Sequence, residues 1–278
     1  MSNFLTRLEQ ACVATRSLLC VGLDVDLNRM SVADVFQFNQ AIIEATADLV
    51  CAYKPNLAFY EALGLSGLKA LERTIEYIHQ KSPSTIIIGD AKRGDIGPSG
   101  EAYARAMFQF WGFDAVTANP WGGRDTLMPF MEDEGKGVFV WCRSSNPGSV
   151  DLQDLIVTST EGKKPVYQHM AREAQKWDLK GNLGLVVGAT YPQQLAEVRR
   201  ICPQMPLLIP GIGAQGGDLE AAIRNGTDHR GRLAIINSSR GIIYASAGPD
   251  FARVARQEAS RLRDAMNQVL ESEGKGWP

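Results

Sequence analysis

Eight short apolar runs punctuate this chain, and eight segments of helical periodicity follow them in alternation. The runs fall at 17–24, 49–56, 85–92, 115–120, 137–143, 183–190, 205–211 and 233–240. Their continuous apolar character, without in–out alternation, predicts strands covered on both faces, as in a parallel sheet. Apolar residues recur at three- and four-residue spacing over 31–48, 63–80, 99–111, 126–134, 166–177, 192–201, 218–225 and 249–271. That spacing predicts amphipathic helices laid over the strands. Eight such units in roughly 250 residues predict an α/β fold, a (β/α)8 TIM barrel. It is expected to be one domain over 1–278, with an extra helix at the N-terminus (Phe4, Leu5, Leu8, Cys12, Val13) and a long C-terminal helix. A doubly wound open sheet is the alternative. Such sheets usually have fewer strands and a Gly-x-Gly-x-x-Gly turn after the first, whereas here the first strand ends on Asp24. The polar stretch 144–164, with its Asn-Pro-Gly turn signal, predicts a surface excursion. The Gly-Lys-Gly-Trp-Pro tail is expected to be loose.

Composition narrows the function classes. Acidic and basic residues nearly balance, 31 against 29, which argues against nucleic acid or an anionic membrane as a partner. No run approaches the roughly 18 apolar residues of a membrane span, and the first ten residues lack the pattern of a secretory signal. Cys12, Cys20, Cys51, Cys142 and Cys202 are scattered, with no Cys-x-x-Cys. They predict reduced thiols and a cytoplasmic location. His79, His169 and His229 have no metal-ligand spacing, so neither a structural nor a catalytic zinc is expected.

In a barrel of this kind the C-terminal strand ends share one face, where active sites lie. Those ends deliver Asp24, Lys54, Asp90, Lys92, Asn119, Arg143 with Ser145, and Arg240. The run Ile-Ile-Ile-Gly-Asp-Ala-Lys-Arg-Gly-Asp-Ile is the most pointed, because residues two apart on a strand project to the same side. By itself Asp90 with Lys92 reads as a strand-end ion pair. Isolated charges are costly to bury, so the Asp and Lys residues of strands one to three predict a mutual network. A purely structural network is the alternative. Against it, the N-terminal strand ends look apolar or turn-like, where a stability device should recur. Two late loops add a second theme, Ile-Pro-Gly-Ile-Gly-Ala-Gln-Gly-Gly-Asp at 209–218 and Asn-Ser-Ser-Arg-Gly at 237–241. Loops after the seventh and eighth strands commonly bind phosphate through backbone N–H groups and an Arg. Gly213, Ser239 and Arg240 are the candidates. The plainer alternative is that these glycines only make tight turns.

The run from Asp90 to Ile96 resembles the Asp-x-Lys-x-x-Asp signature of the orotidine 5′-monophosphate decarboxylases. Asp24 in Gly-Leu-Asp, Lys54 in Tyr-Lys-Pro-Asn, the Gly-rich loop and the Ser-Arg-Gly turn match that family in the same order, over about 18–244. The length, the Lys-Pro-Asn and the Arg-Ser-Ser-Asn-Pro-Gly segment resemble its longer bacterial subgroup. Related metal-dependent sugar-phosphate enzymes share the signature, but they carry an acidic residue on the second strand where Lys54 stands. The resemblance implies conversion of orotidine 5′-monophosphate to UMP and CO2, the last step of de novo pyrimidine nucleotide synthesis, without metal or cofactor. It implies Lys92 as proton donor to C6, Asp90 beside the departing carboxylate, and Lys54 with an Asp95 from the other subunit completing the array. It further implies Asp24 on the ribose, Ser145 on the pyrimidine edge, and Gln215 with Arg240 on the 5′-phosphate. Ser99 stands where the family often has a Thr reaching the neighbour's ribose. A homodimer with shared active sites follows; Asn119 gains no role. A Schiff-base aldolase built on Lys92 and a non-catalytic sensor of a phosphate ligand are the remaining alternatives.

Overall fold

The computed structural model describes residues 3–160, 162–213 and 216–278. Its strands are β1 (Leu19–Leu23), β2 (Ala52–Pro55), β3 (Ile86–Arg93), β4 (Ala115–Ala118), β5 (Gly137–Arg143), β6 (Ile156–Ser159), β7 (Gly162–Pro165), β8 (Leu183–Val187), β9 (Leu207–Pro210) and β10 (Ala234–Ser238). Eight of them close into a ring in the order β1-β10-β9-β8-β5-β4-β3-β2. β1 pairs in parallel with both β2 and β10, so the sheet has no edge in the barrel and the open-sheet alternative falls. The continuous apolar runs are continuous for the expected reason. β1, β2, β4 and β10 are buried at every position, with side chains facing the barrel interior on one side and the helices on the other.

The helices stand where periodicity places them, with shifted ends. Val35–Thr46 begins on an Asp34 cap and Leu219–Gly226 on an Asp218 cap, each carboxylate accepting an otherwise orphaned N–H. The helix expected over 99–111 is regular only over Gly97–Arg105 and ends in a wide turn, Ala106–Phe110. A five-residue helix, Leu57–Glu61, follows β2 directly and was too short to leave a periodic signature. The excursion at 144–164 holds a short helix, Val150–Gln153, and the antiparallel hairpin β6–β7.

Two expectations are corrected. The C-terminal tail is docked: Trp277 Nε1 donates to Asn267 Oδ1 at 2.7 Å, and the Arg232 guanidinium lies 3.9 Å from the indole centroid. Arg232 also donates to the carbonyls of Lys275 and Gly276. The tail's glycines hid an aromatic anchor and its cation. The N-terminal strand ends are not apolar either. Asp114 pairs with Arg7 and accepts from Ile87 N, while Asn182 donates to the carbonyls of Met131, Asp133 and Lys136. Arg199 serves the carbonyls of Gly226, Cys202, Met205 and Leu233. These side chains satisfy backbone groups that the bottom of the barrel would otherwise orphan. Charge is therefore present at both ends of the barrel. What sets the C-terminal end apart is that its charges border an open cavity.

Candidate active site

That cavity has a volume of about 530 Å³ and is bordered by Asp24, Lys54, Asp90, Lys92, Ser145 and Arg240, among others. Its floor is a three-membered charge array. Lys54 Nζ lies 2.9 Å from Asp90 Oδ2, and Lys92 Nζ lies 2.6 Å from Asp90 Oδ1. The Lys54 and Asp90 side chains are 5% and 11% exposed, whereas Lys92 is 41% exposed. Lys92 is therefore the member whose ammonium reaches the solvent-filled space. Burial by itself would push the Asp90 carboxyl up, but the ammonium groups of Lys54 and Lys92 outweigh it and hold Asp90 well below the usual carboxylate range. Burial likewise disfavours the charged form of Lys54, and the opposing charges of Asp90 and Asp24 raise it above an ordinary lysine. The predicted network forms, with Asp24 joined to it by charge. Asp24 Oδ1 is buried without a hydrogen-bond partner among the described residues, leaving a carboxylate acceptor at the cavity wall.

The backbone beneath the array departs from a regular strand. Lys92 has φ +48°, a left-handed conformation that costs a non-glycine residue on the order of 1–3 kcal/mol. The β3–β4 ladder shifts register between Gly89 and Arg93. Such deviations persist where surrounding contacts over-determine them, and they gather at functional sites.

The other candidates divide. Ser145 borders the cavity, and its carbonyl accepts from Thr190 Oγ1 at 3.0 Å. A Cβ on Gly188 would come 2.7 Å from Ser145 Cα, so this segment can pass only over a glycine. Ser239 and Arg240 border the cavity with Gly211 and Ile212. A Cβ on Gly22 would fall 1.8 Å from Ser239 Oγ, so glycine on β1 is what lets the turn after β10 approach. Gly213, at φ +84°, lies in the loop after β9 beyond the residues that border the cavity. Gln215 lies outside the described residues. Asp95 and Ser99 do not border this chain's cavity. Asp95 Oδ1 accepts from Ile96 N at 2.8 Å, and Ser99 is exposed on the helix Gly97–Arg105.

Arg143 is a correction. It is fully buried and turned into the 144–154 segment, donating to Ser149 Oγ, to Gln153 Oε1 at 3.2 Å and to Asp154 Oδ2 at 3.2 Å. Its guanidinium lies 3.9 Å from the Tyr191 ring centroid. A bulge in the β5–β8 pairing separates Trp141, which borders the cavity, from Arg143, which does not. The Asn119 side chain makes a local turn contact, accepting from Trp121 N at 3.0 Å.

Several bordering residues escaped the sequence reading, Thr117, Tyr244 and Arg29 among them. Thr117 Oγ1 donates to Asp90 Oδ1 at 2.8 Å. Tyr244 Oη donates to the Asp24 carbonyl at 2.9 Å and accepts from Asp26 N at 2.7 Å. Arg29 covers the Tyr244 ring, 4.4 Å from its centroid. Thr117 had a usable signal, as the one polar side chain of β4 (Ala-Val-Thr-Ala); the contact of Tyr244 with Asp24 spans 220 positions and had none. Among the described residues no group of three or more His, Cys, Asp or Glu is placed to hold a metal ion.

Residues 17–254 match the family model described as Orotidine 5′-phosphate decarboxylase / HUMPS family. The chain belongs to this family. Orotidine 5′-phosphate decarboxylases are among its relatives. That of Dehalococcoides mccartyi is 50% identical over 266 residues, covering 95% of this chain and 97% of the relative. That of Roseiflexus sp. (strain RS-1) is 51% identical over 262 residues, covering 92% and 94%. The solved structure of Leishmania donovani OMP decarboxylase superposes with a TM-score of 0.84 at 39% identity, covering 96% of this chain and 99% of that one. The decarboxylase family read from Asp90 to Ile96 is thus borne out over nearly the whole barrel.

Proposed function

We propose that this chain is a carboxy-lyase that converts orotidine 5′-monophosphate to UMP and CO2, the last step of de novo pyrimidine nucleotide synthesis, with no metal or cofactor. The observation that carries the reading is the buried Asp90, held from two sides by Lys54 and Lys92, with the Lys92 ammonium at the cavity wall. Breaking the bond from C6 to the carboxylate leaves the electron pair in the ring plane at C6, where no π-system receives it. A preorganised cation beside C6 stabilises that charge. Lys92 supplies the cation and then delivers its proton to C6 as general acid. CO2 departs, Lys92 regains a proton from solvent, and one proton is consumed overall. Asp90, itself anchored by Lys54, aims the Lys92 ammonium, while its carboxylate opposes that of the bound substrate until CO2 leaves.

The remaining lining fits the rest of a nucleotide. Asp24, with its unpartnered oxygen, accepts from a ribose hydroxyl, and Ser145 addresses the pyrimidine edge. Arg240, Ser239, Gln215 and the N–H groups around Gly213 hold the 5′-phosphate, and binding energy gathered there orients the ring over Lys92. Asp95 and Ser99 serve the site of a second copy. Exposed apolar side chains support a homodimer, with Ile96, next to Asp95 in the chain, 62% exposed and Trp121 79% exposed. The five buried, unpaired cysteines fit a reducing, cytoplasmic setting, and among the described residues no helix is long and apolar enough to cross a membrane.

The deciding experiment follows the absorbance of orotidine 5′-monophosphate with EDTA-treated protein. The expected result is a steady fall in absorbance that added Mg2+ leaves unchanged. No consumption of substrate, or turnover only with Mg2+, refutes the proposal, and the second outcome points to the metal-dependent sugar-phosphate branch of the superfamily.

A further inference from the structure

The β3–β4 ladder pairs Gly89 with Val116 and resumes at Arg93 with Ala118. Asp90, Ala91 and Lys92 therefore stand opposite a single residue, Thr117. A bulge of this size leaves backbone groups without ladder partners and lets the longer strand rotate. Thr117 closes it with one hydroxyl. Its oxygen accepts from Lys92 N at 3.0 Å, and its own proton goes to Asp90 Oδ1 at 2.8 Å. Thr117 is nearly buried, 3% exposed.

We infer that Thr117 is a positioning residue, a hydroxyl clasp that fixes the Asp90 carboxylate and the left-handed backbone of Lys92 in one geometry. The inference rests on the proposed decarboxylation and adds a residue to it. Asp90 Oδ1 receives the Lys92 ammonium at 2.6 Å and the Thr117 hydroxyl at 2.8 Å. The hydroxyl thus limits rotation of the carboxylate to which Lys92 is tethered. Through the Lys92 amide, the same oxygen holds the φ +48° turn from which the ammonium is aimed. A serine hydroxyl can do both; a valine of the same shape can do neither.

The experiment compares Thr117→Val and Thr117→Ser in the full chain, using steady-state kinetics, affinity for UMP and a crystal structure of the valine variant. Misplacing a reacting group by a fraction of an ångström to 1 Å costs up to about 100-fold in rate. Thr117→Val is therefore expected to lower kcat by about 10- to 100-fold, with KM and UMP affinity changed less than about threefold, because the phosphate contacts are untouched. Thr117→Ser is expected to stay within about threefold of the parent in kcat. Unchanged kcat in Thr117→Val, or an equal loss in both variants, overturns the inference, since volume rather than the hydroxyl would then be the cause. A parent protein that does not consume orotidine 5′-monophosphate refutes the functional reading instead. The crystal structure still decides the clasp: Lys92 is expected to leave positive φ or Asp90 to rotate in Thr117→Val, and an unmoved pair overturns it.

Discussion

Replacing Lys54 with methionine separates an electrostatic unit from two independent ion pairs. The substitution keeps an apolar stem on β2 and removes the ammonium 2.9 Å from Asp90 Oδ2. Both side chains are largely buried, 5% and 11% exposed, so the charge left on Asp90 is poorly solvated. Removing one partner of a buried pair costs about 3–5 kcal/mol. Lys92 and Thr117 still hold the other oxygen of Asp90, which places the expected loss at the low end, about 3 kcal/mol. Unfolding entropy of about 2.1 cal/mol/K per residue, over 278 residues, converts this to a Tm about 5 °C lower. The pH dependence carries the stronger test. In the parent, Asp90 lies below its unfolded value, so it stabilises the fold above the ordinary carboxylate range. That contribution is lost only as pH falls through its depressed folded value. Without Lys54, burial acts with less opposition and Asp90 moves up. Protonation then relieves the unpaired charge at a higher pH than in the parent. The gap in Tm, measured by calorimetry, is expected to be widest at neutral pH and to narrow towards about pH 4. A Tm change below about 1 °C at neutral pH, or a gap that widens on acidification, would refute the argument.

Sharing of sites between subunits predicts complementation between Lys92→Ala and Asp95→Ala, each inactive alone. Random mixing makes half of the dimers hybrid, each with one intact site, so turnover is expected to return to roughly a quarter of the parent's. No recovery after mixed refolding places Asp95 outside the neighbour's site. Arg240→Ala removes a charge-assisted contact to the 5′-phosphate and is expected to raise KM by about 10- to 100-fold; an unchanged KM removes Arg240 from the phosphate site.

Much of the architecture was legible before any coordinates, because a strand covered on both faces must be apolar along its whole length. Eight such runs, with helices between, left few arrangements. The charged strand ends were legible for a related reason: Asp24, Lys54, Asp90 and Lys92 interrupt apolar runs where a charge is expensive. Arg143 interrupts one as well, and it misled. A β-bulge takes it out of the alternation that aims Trp141 at the cavity, and its charge is spent on Asp154 and the Tyr191 ring. Thr117 was overlooked for the opposite reason, since one hydroxyl in an apolar strand carries no charge to announce it.

The sequence by itself determined the barrel, the family and the identities of the charges, because burial on two faces and the scarcity of buried charge are local constraints written into residue type. The tertiary structure decided which charges meet. It placed Lys54 and Lys92 on opposite oxygens of Asp90, turned Lys92 through a left-handed backbone, and left Asp95 and Ser99 outside this chain's own cavity. Those outcomes depend on register and ring closure between segments far apart in the chain, and no single segment encodes them.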